Sequence, residues 1–266
     1  MNHKRFARIT PRRVLSACLG RLFYQDRVDK DGNVAPPRPV LAELNRRLVE
    51  RGFSPPWTMT KQECQDFWAS RKNDEQSLGN RPVDYAIKDT GIIDFLHSFW
   101  TPEVGPDKTI LELGCNCGSN LNTLYKLGYH DLSGIEINES AIDEMQRRFP
   151  DLTRIATVSR GSVEDLLPKI PLKGVDVVFT MAALMHVHPA SNHVFSEMVR
   201  VARKYIVVIE LETANCGYVF ARNYRRVFER LGCSQLRSVL LTKHAFPAVS
   251  RDYDGCTARL FAVPRR

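Results

Sequence analysis

No run in the 266-residue sequence approaches the roughly 18 consecutive apolar residues that a membrane-crossing helix needs, so no such helix is predicted. Internal repeats are missing, which argues against a solenoid, and low-complexity tracts are missing as well. Cysteine is present but unorganised: seven residues, an odd number, at no repeated spacing. That excludes a disulfide framework and fits a reducing compartment. Cys115 and Cys117 share one turn, yet no second pair stands by to complete a zinc site, so both read as small packing residues. What remains is an ordinary globular composition, 43% hydrophobic, enough for one decorated α/β domain or two small ones.

Acidic residues are scarce at both ends. Residues 1–60 carry 12 Lys/Arg against 5 Asp/Glu, and residues 200–266 carry 13 against 5. The middle, 61–199, carries 13 against 20, so a net charge of +8 is built from basic ends around an acidic centre. Such ends favour an anionic partner or surface, and a dispersed, solvated surface is the plainer alternative. Up to Tyr24 there are six basic residues and no acid. Phe6, Ile9, Val14, Leu15, Leu19 and Leu22 share one helical face there. Three readings fit: a basic leader packed on the domain, an organelle transit peptide, or an amphipathic helix on a membrane surface. The first, with a cytoplasmic location, is the one expected. Leu15–Cys18 superficially resembles a lipoprotein cleavage site, but arginines interrupt the short apolar run before it.

Taken in order, Asp31–Pro39 is a turn-rich stretch, Val40–Arg51 reads as a helix stopped by Gly52, and Thr60–Glu63 is a capping-box pattern with Cys64, Phe67 and Trp68 following on one face. Residues 1–80 are thus expected to form a basic leader and a helical extension, and residues 81–266 the main domain. Pro82 opens a helix expected to run to about Trp100. From Thr109 strand-like and helix-like segments alternate. Strands are predicted at 109–113, 132–136, 153–159, 174–180, 204–210, 236–242 and 257–263, and helices at 119–127, 139–148, 162–167, 190–202 and 217–231. Alternation implies a mostly parallel sheet covered by helices on both faces. The last two strands lack a helix between them, which predicts an antiparallel hairpin at the sheet edge.

The stretch Thr109–Asn138 carries the clearest chemistry. A short strand ending Ile110-Leu111-Glu112-Leu113 meets a turn with Gly114 and Gly118, a helix follows, and a second strand ends in Glu136. Glycine lets a ligand approach the backbone closely at such a strand end. The spacing is not the G-x-G-x-x-G of a dinucleotide site, since Asn116 and Cys117 intervene. Glu136 lies 22 residues beyond Gly114, near the offset of a carboxylate that accepts hydrogen bonds from a ribose diol.

Glu112, Gly114 and Gly118 resemble motif I of the class I S-adenosylmethionine-dependent methyltransferases, with Asn116 in place of the middle glycine. Asn tolerates positive φ, so the departure is mild. The resemblance spans roughly Arg81 to Pro264. It implies a Rossmann-like methyltransferase fold with a seven-stranded, mostly parallel sheet and an antiparallel last strand. It implies S-adenosylmethionine as cofactor and S-adenosylhomocysteine as product. Ser162 stands where the family meets the adenine amine, with Val163 beside it; Ser162 also reads as a helix cap. The segment before motif I often covers the cofactor, which puts Arg81 on its carboxylate. Cys115 and Ile137, beside the turn and the strand-end acid, and Thr180, closing the fourth strand, complete the predicted cofactor wall.

After that fourth strand come His186 and His188. Imidazole titrates near neutrality, so either is a candidate general base for a nucleophilic amine or hydroxyl. They stand two apart, but only His193 follows as a third ligand, and no metal is expected. Glu210, closing the fifth strand, is a candidate anchor for a substrate amine or hydroxyl. Arg222, Arg225 and Arg226 either grip an anionic group or form a solvated face. The expected activity is methyl transfer to N or O of a small molecule; the segment from Gly79 to Tyr224 resembles methylases encoded beside sugar-biosynthesis genes. The alternatives are a nucleic-acid methyltransferase or binder, and a module that holds S-adenosylmethionine without turnover. Against nucleic acid, no Asn/Asp-Pro-Pro-Tyr/Phe tetrad follows the fourth strand and no RNP1-like motif is present.

Overall fold

A computed structural model describes residues 39–54, 58–88, 90–213 and 217–265. The basic leader before them lies outside the described residues. No helix among those described is long and apolar enough to cross a membrane.

Seven strands form one sheet: β1 (Ile110–Leu113), β2 (Leu132–Glu136), β3 (Thr157–Arg160), β4 (Val175–Met181), β5 (Ala202–Leu211), β6 (Ser234–Leu240) and β7 (Cys256–Ala262), in the order β3-β2-β1-β4-β5-β7-β6. β1 to β5 pair in parallel, and β7 is antiparallel to both β5 and β6. The order reverses beside β1, where chains leaving β1 and β4 diverge and leave a crevice above the carboxyl ends of the strands.

Side-chain parity assigns each strand residue to one of two cores. On β4, Val177 and Phe179 enter the core with Trp100, Leu121 and Leu152, while Val178 enters the opposite core with Phe195, Met198 and Phe228. β5 alternates likewise: Val207 and Ile209 on one side, Ile206 and Val208 on the other. Strands covered on both faces read as near-continuous apolar runs, which is why they were legible.

Among the described residues, four α-helices precede the sheet: α1 (Pro39–Glu50), α2 (Lys61–Ala69), α3 (Pro82–Ile87) and α4 (Ile92–Trp100). Thr60 caps α2 through both halves of the expected capping box. Val49 of α1 and Cys64 of α2 pack with Phe220, and Arg226 pairs with Glu50 at 2.6 Å, so this extension sits on the sheet's carboxyl-end side.

Several expectations are corrected. The single helix from Pro82 to Trp100 is two, broken where Gly91 adopts φ 61°. The third strand begins at Thr157 because Pro150 opens a short helix through Ile155 instead. The helix expected over 217–231 is confined to Tyr224–Arg230, with Asn223 accepting from the Arg226 amide as its cap.

Gly91 also holds a loop in place. A Cβ there would stand 2.4 Å from the Ala248 carbonyl oxygen, and the adjacent Thr90 carbonyl accepts from the Ser250 amide at 2.8 Å. Gly91→Ala is therefore expected to lower stability by roughly 1–3 kcal/mol in urea unfolding, through positive φ and overpacking together. An unchanged midpoint would mean that the 242–254 loop does not pack there.

Candidate active site

One cavity of about 730 Å³ lies over the carboxyl ends of the strands. Its walls come from the turn after β1, the end of β2, the residues after β3 and β4, helix α2, and the segments around Tyr218 and Tyr253.

At one end the turn after β1 takes three positive φ values, Gly114 at 69°, Asn116 at 47° and Gly118 at 70°. Asn116 thus adopts the left-handed conformation in place of a glycine, and its Oδ1 accepts from the Cys117 amide at 2.7 Å. The Asn116 amide donates to Glu136 Oε2 at 2.7 Å, and the Asn138 amide to Glu136 Oε1 at 2.8 Å. Glu136 is buried, and burial pushes its carboxyl above the usual range against the pull of those amides. Each oxygen keeps a lone pair for a further donor.

Cys115, Asn116, Glu136, Ile137, Ser162 and Val163 all line this end, with Gly114. Ser162 Oγ accepts from the Asp165 amide as a helix cap and donates to Asp165 Oδ2 at 2.7 Å. Its proton is thereby committed, and a lone pair is left for an incoming N–H.

Two members of the motif act from behind the wall. Glu112 is 1% exposed; its Oε1 accepts from Asn120 Nδ2 at 2.7 Å, and Asn120 is the residue that lines the cavity. Glu112 Oε2 has no partner among the described residues, and burial raises the carboxyl to about 8. Gly118 packs rather than contacts: a Cβ there would lie 2.6 Å from Met145 Sδ. Gly114 is similarly pressed, its built Cβ 2.7 Å from the Ala183 Cβ.

The opposite end is aromatic. His186, on the turn Leu184–His186, lies against Trp68 of α2 with ring centroids 4.4 Å apart and near Tyr218 at 5.7 Å. Its Nδ1 is 2.9 Å from the Tyr218 carbonyl oxygen. A carbonyl only accepts, so Nδ1 carries the proton and Nε2 the lone pair. Burial lowers the imidazole to about 4, which keeps it neutral at working pH.

Four predicted site residues are placed elsewhere. His188 is absent from the cavity wall; its Nε2 is 3.0 Å from Ser54 Oγ, and its Nδ1 accepts from the Ala190 amide. Arg81 is committed to Asp84 three residues on, through two bonds of 2.9 and 2.7 Å, and does not reach the cavity. Thr180 and Glu210 are both fully buried, because parity turns them to the face shared by Val178 and Val208 rather than into the crevice.

There Glu210 has a different task. Oε1 accepts from Thr180 Oγ1 and the amides of Ala183 and Leu184 at 3.0–3.1 Å, and Oε2 from the Met185 amide. Burial raises its carboxyl to about 7 against those four bonds. From the other side Arg222, 0% exposed, donates to the carbonyls of Leu184 and Val187 at 3.3 and 2.7 Å. The turn bearing His186 is clamped by its amides on one side and its carbonyls on the other. The other two arginines, read as either a grip on an anionic group or a solvated face, are paired within the chain, Arg225 with Glu229 and Arg226 with Glu50.

Sequence reasoning missed Gln65, Trp68, Asn120, Tyr218 and Tyr253 as cavity residues. The only signal was the apolar face of Cys64, Phe67 and Trp68 after the capping box. Nothing local says that this face meets a turn over a hundred residues away.

Two outcomes test the site. Arg222→Met leaves the loop carbonyls without donors and is expected to cost roughly 1–3 kcal/mol by chemical denaturation. The His186 shift carries a pH signature: between about 4 and 6.5 the unfolded chain binds a proton that the folded chain refuses, so acidification through that window destabilises. His186→Asn should flatten that part of the stability profile relative to wild type; parallel profiles would contradict a buried neutral imidazole.

Residues 110–205 match the family model described as a methyltransferase domain. Comparison with curated protein sequences gives no match. Among solved structures, magnesium protoporphyrin IX methyltransferase from Synechocystis PCC 6803 with bound S-adenosylhomocysteine is similar at TM-score 0.56 and 13% identity, over 77% of this chain and 100% of that one. Geranyl diphosphate C-methyltransferase from Streptomyces coelicolor A3(2) is similar at TM-score 0.55 and 15% identity, over 76% and 96%. The [4+2]-cyclase SpnF is similar at TM-score 0.54 and 12% identity, over 66% and 80%. At these identities the likeness speaks for the fold. Residues 110–205 are thus a methyltransferase domain by that match, and the sheet around them has the fold of the S-adenosylmethionine-dependent methyltransferases it resembles.

Proposed function

We propose that this chain transfers a methyl group from S-adenosylmethionine to an oxygen or nitrogen of a small molecule held in the same cavity. The observation that carries the reading is the cavity's two unlike ends, one lined by Glu136, Asn116 and Ser162, the other by His186, Trp68 and Tyr218. Its volume lies within the about 300–1,000 Å³ typical of small-molecule sites. A cleft partly covered by α2 suits a small acceptor better than a polynucleotide.

The residues present fit the cofactor. Glu136 offers the ribose diol one free lone pair on each oxygen, and Ser162 offers one to the adenine amine. The positive-φ turn brings backbone close enough to seat a ligand without a Cβ in the way. When bound, the cofactor supplies an electrophilic methyl group on a cationic sulfur.

The chain's own contribution is positioning. The clamp of Glu210 and Arg222 fixes the turn that carries His186, and His186 Nε2 accepts the hydrogen of the acceptor's nucleophilic O–H or N–H. Trp68, Tyr218 and Val219 exclude water from that end. Cys115, Cys117, Cys233 and Cys256 are buried free thiols, in keeping with work in a reducing compartment such as the cytoplasm.

Calorimetric titration with S-adenosylmethionine is expected to give saturable binding that Glu136→Ala weakens at least tenfold and Gly118→Asp abolishes. Equal affinity in all three proteins would sink the assignment. His186→Asn should keep that affinity while turnover, read as S-adenosylhomocysteine released, falls about 10²–10⁴-fold. Because the imidazole is already neutral, turnover in wild type should show no His-like inflection between pH 5 and 8.

A further inference from the structure

The aromatic end of the cavity holds two buried donors that no described residue satisfies. Gln65 Nε2 and Trp68 Nε1 both have no hydrogen-bond partner among the described residues, and both residues line the cavity. They stand three apart on α2, which places them one above the other on a single helical face. A buried N–H left unpaired costs about 1–3 kcal/mol, so a pair of them on one wall calls for an acceptor atom from a ligand.

The surroundings define that ligand further. The rings packed against Trp68 are Phe67, His186 and Tyr218, none of which carries a charge when the imidazole is neutral. Glu210 is sealed behind the turn that bears His186, with both oxygens occupied. An ammonium would find no counter-charge here, and a carboxylate or phosphate would find two neutral N–H groups but no cation to offset its desolvation. Arg71, Asp84, Lys88 and Asp252 also line the cavity, but each is already engaged within the protein. The Arg71 guanidinium lies over the Phe67 ring and is spent on the Phe67 and Gln76 carbonyls, while Asp84 is held by Arg81 and Lys88 is paired with Asp252.

Resting on the reading given under Proposed function, we infer that the acceptor's reacting portion is an uncharged, oxygen-bearing group. Trp68 Nε1 and Gln65 Nε2 donate to a lone pair of its oxygen, while a hydroxyl or neutral N–H of the same group donates to His186 Nε2. Gln65 and Trp68 are specificity-determining residues for acceptor charge. They hold no part of the methyl donor. A hydroxyl satisfies both demands with one atom, since it accepts and donates at once, so alcohols and phenols are the acceptor class that the wall selects.

The test uses the Trp68 indole N–H, assigned in a ¹H–¹⁵N spectrum by its loss in Trp68→Phe. Phenol, benzoate and benzylammonium are titrated separately into the full-length protein, with and without S-adenosylhomocysteine. Phenol is expected to move the Trp68 indole resonance saturably downfield, and the two ions to leave it in place. Gln65→Leu should weaken the phenol response several-fold, and Gln65→Glu should remove it by replacing the amide donor with an acceptor. Calorimetric affinity for S-adenosylhomocysteine should remain unchanged in both Gln65 variants and in Trp68→Phe. A response to benzoate or benzylammonium equal to that of phenol, or no saturable response to phenol, overturns the inference. Loss of S-adenosylhomocysteine affinity in Gln65→Leu with phenol binding intact would assign the two donors to the methyl donor instead. If wild type fails to bind S-adenosylhomocysteine at all, it is the methyltransferase reading that falls, while the phenol titration still decides the character of this wall.

Discussion

Everything at the donor end depends on one carboxylate, Glu136, accepting backbone amides from two segments that the sequence keeps apart. Asn116 donates from the turn after β1 and Asn138 from the start of the next helix. These bonds fix the turn in its left-handed conformation and set the spacing between β1 and β2 at the crevice. A carboxylate at 7% exposure would be costly alone, and hydrogen bonds to the charged form offset part of that cost. The same group therefore builds the cradle and remains able to accept from a ligand. If Glu136 holds the cofactor as proposed, stability and binding reside in one side chain and are expected to be hard to separate by mutation there.

The second buried acid plays a purely architectural part. Glu210 and Arg222 never meet as a direct ion pair; they reach the turn Leu184–His186 from opposite sides, one taking amides and the other giving to carbonyls. An irregular backbone segment between two strands and a helix has few partners of its own. Here charged side chains supply them, and the outcome is a fixed His186 ring in a single tautomer. Ala182, just before this turn, sits at φ 49°, a conformation that an alanine adopts only where its surroundings impose it. Gly114 pressed against Ala183 links this half of the site to the glycine turn.

Local signals carried well from sequence to structure, and distant ones did not. The glycine turn, the strand-end acid, the capping box at Thr60 and the antiparallel last strand are each written within a few residues, and the structure has all four. Thr180 and Glu210 looked like crevice residues because they close strands, yet side-chain parity along β4 and β5 sends them beneath the sheet. That parity depends on where the strands start and how they pair, which periodicity locates only loosely. Arg81 was legible as a cation but not as one already held by Asp84. Of the two histidines, only His186 faces Trp68, and its neighbour His188 turns to Ser54. The roof over the cavity was illegible because α2 reaches its partners across more than a hundred residues of chain.

The account's central claim is that one cavity seats the methyl donor at the Glu136 end and leaves the His186 end for the acceptor. A crystal structure with S-adenosylhomocysteine tests this most directly. The ribose hydroxyls should lie about 3 Å from the Glu136 oxygens, with the sulfur directed towards Trp68 and His186 and the aromatic end still open. Density for the ligand against Trp68 and Gln65, or outside the cavity altogether, would contradict the account.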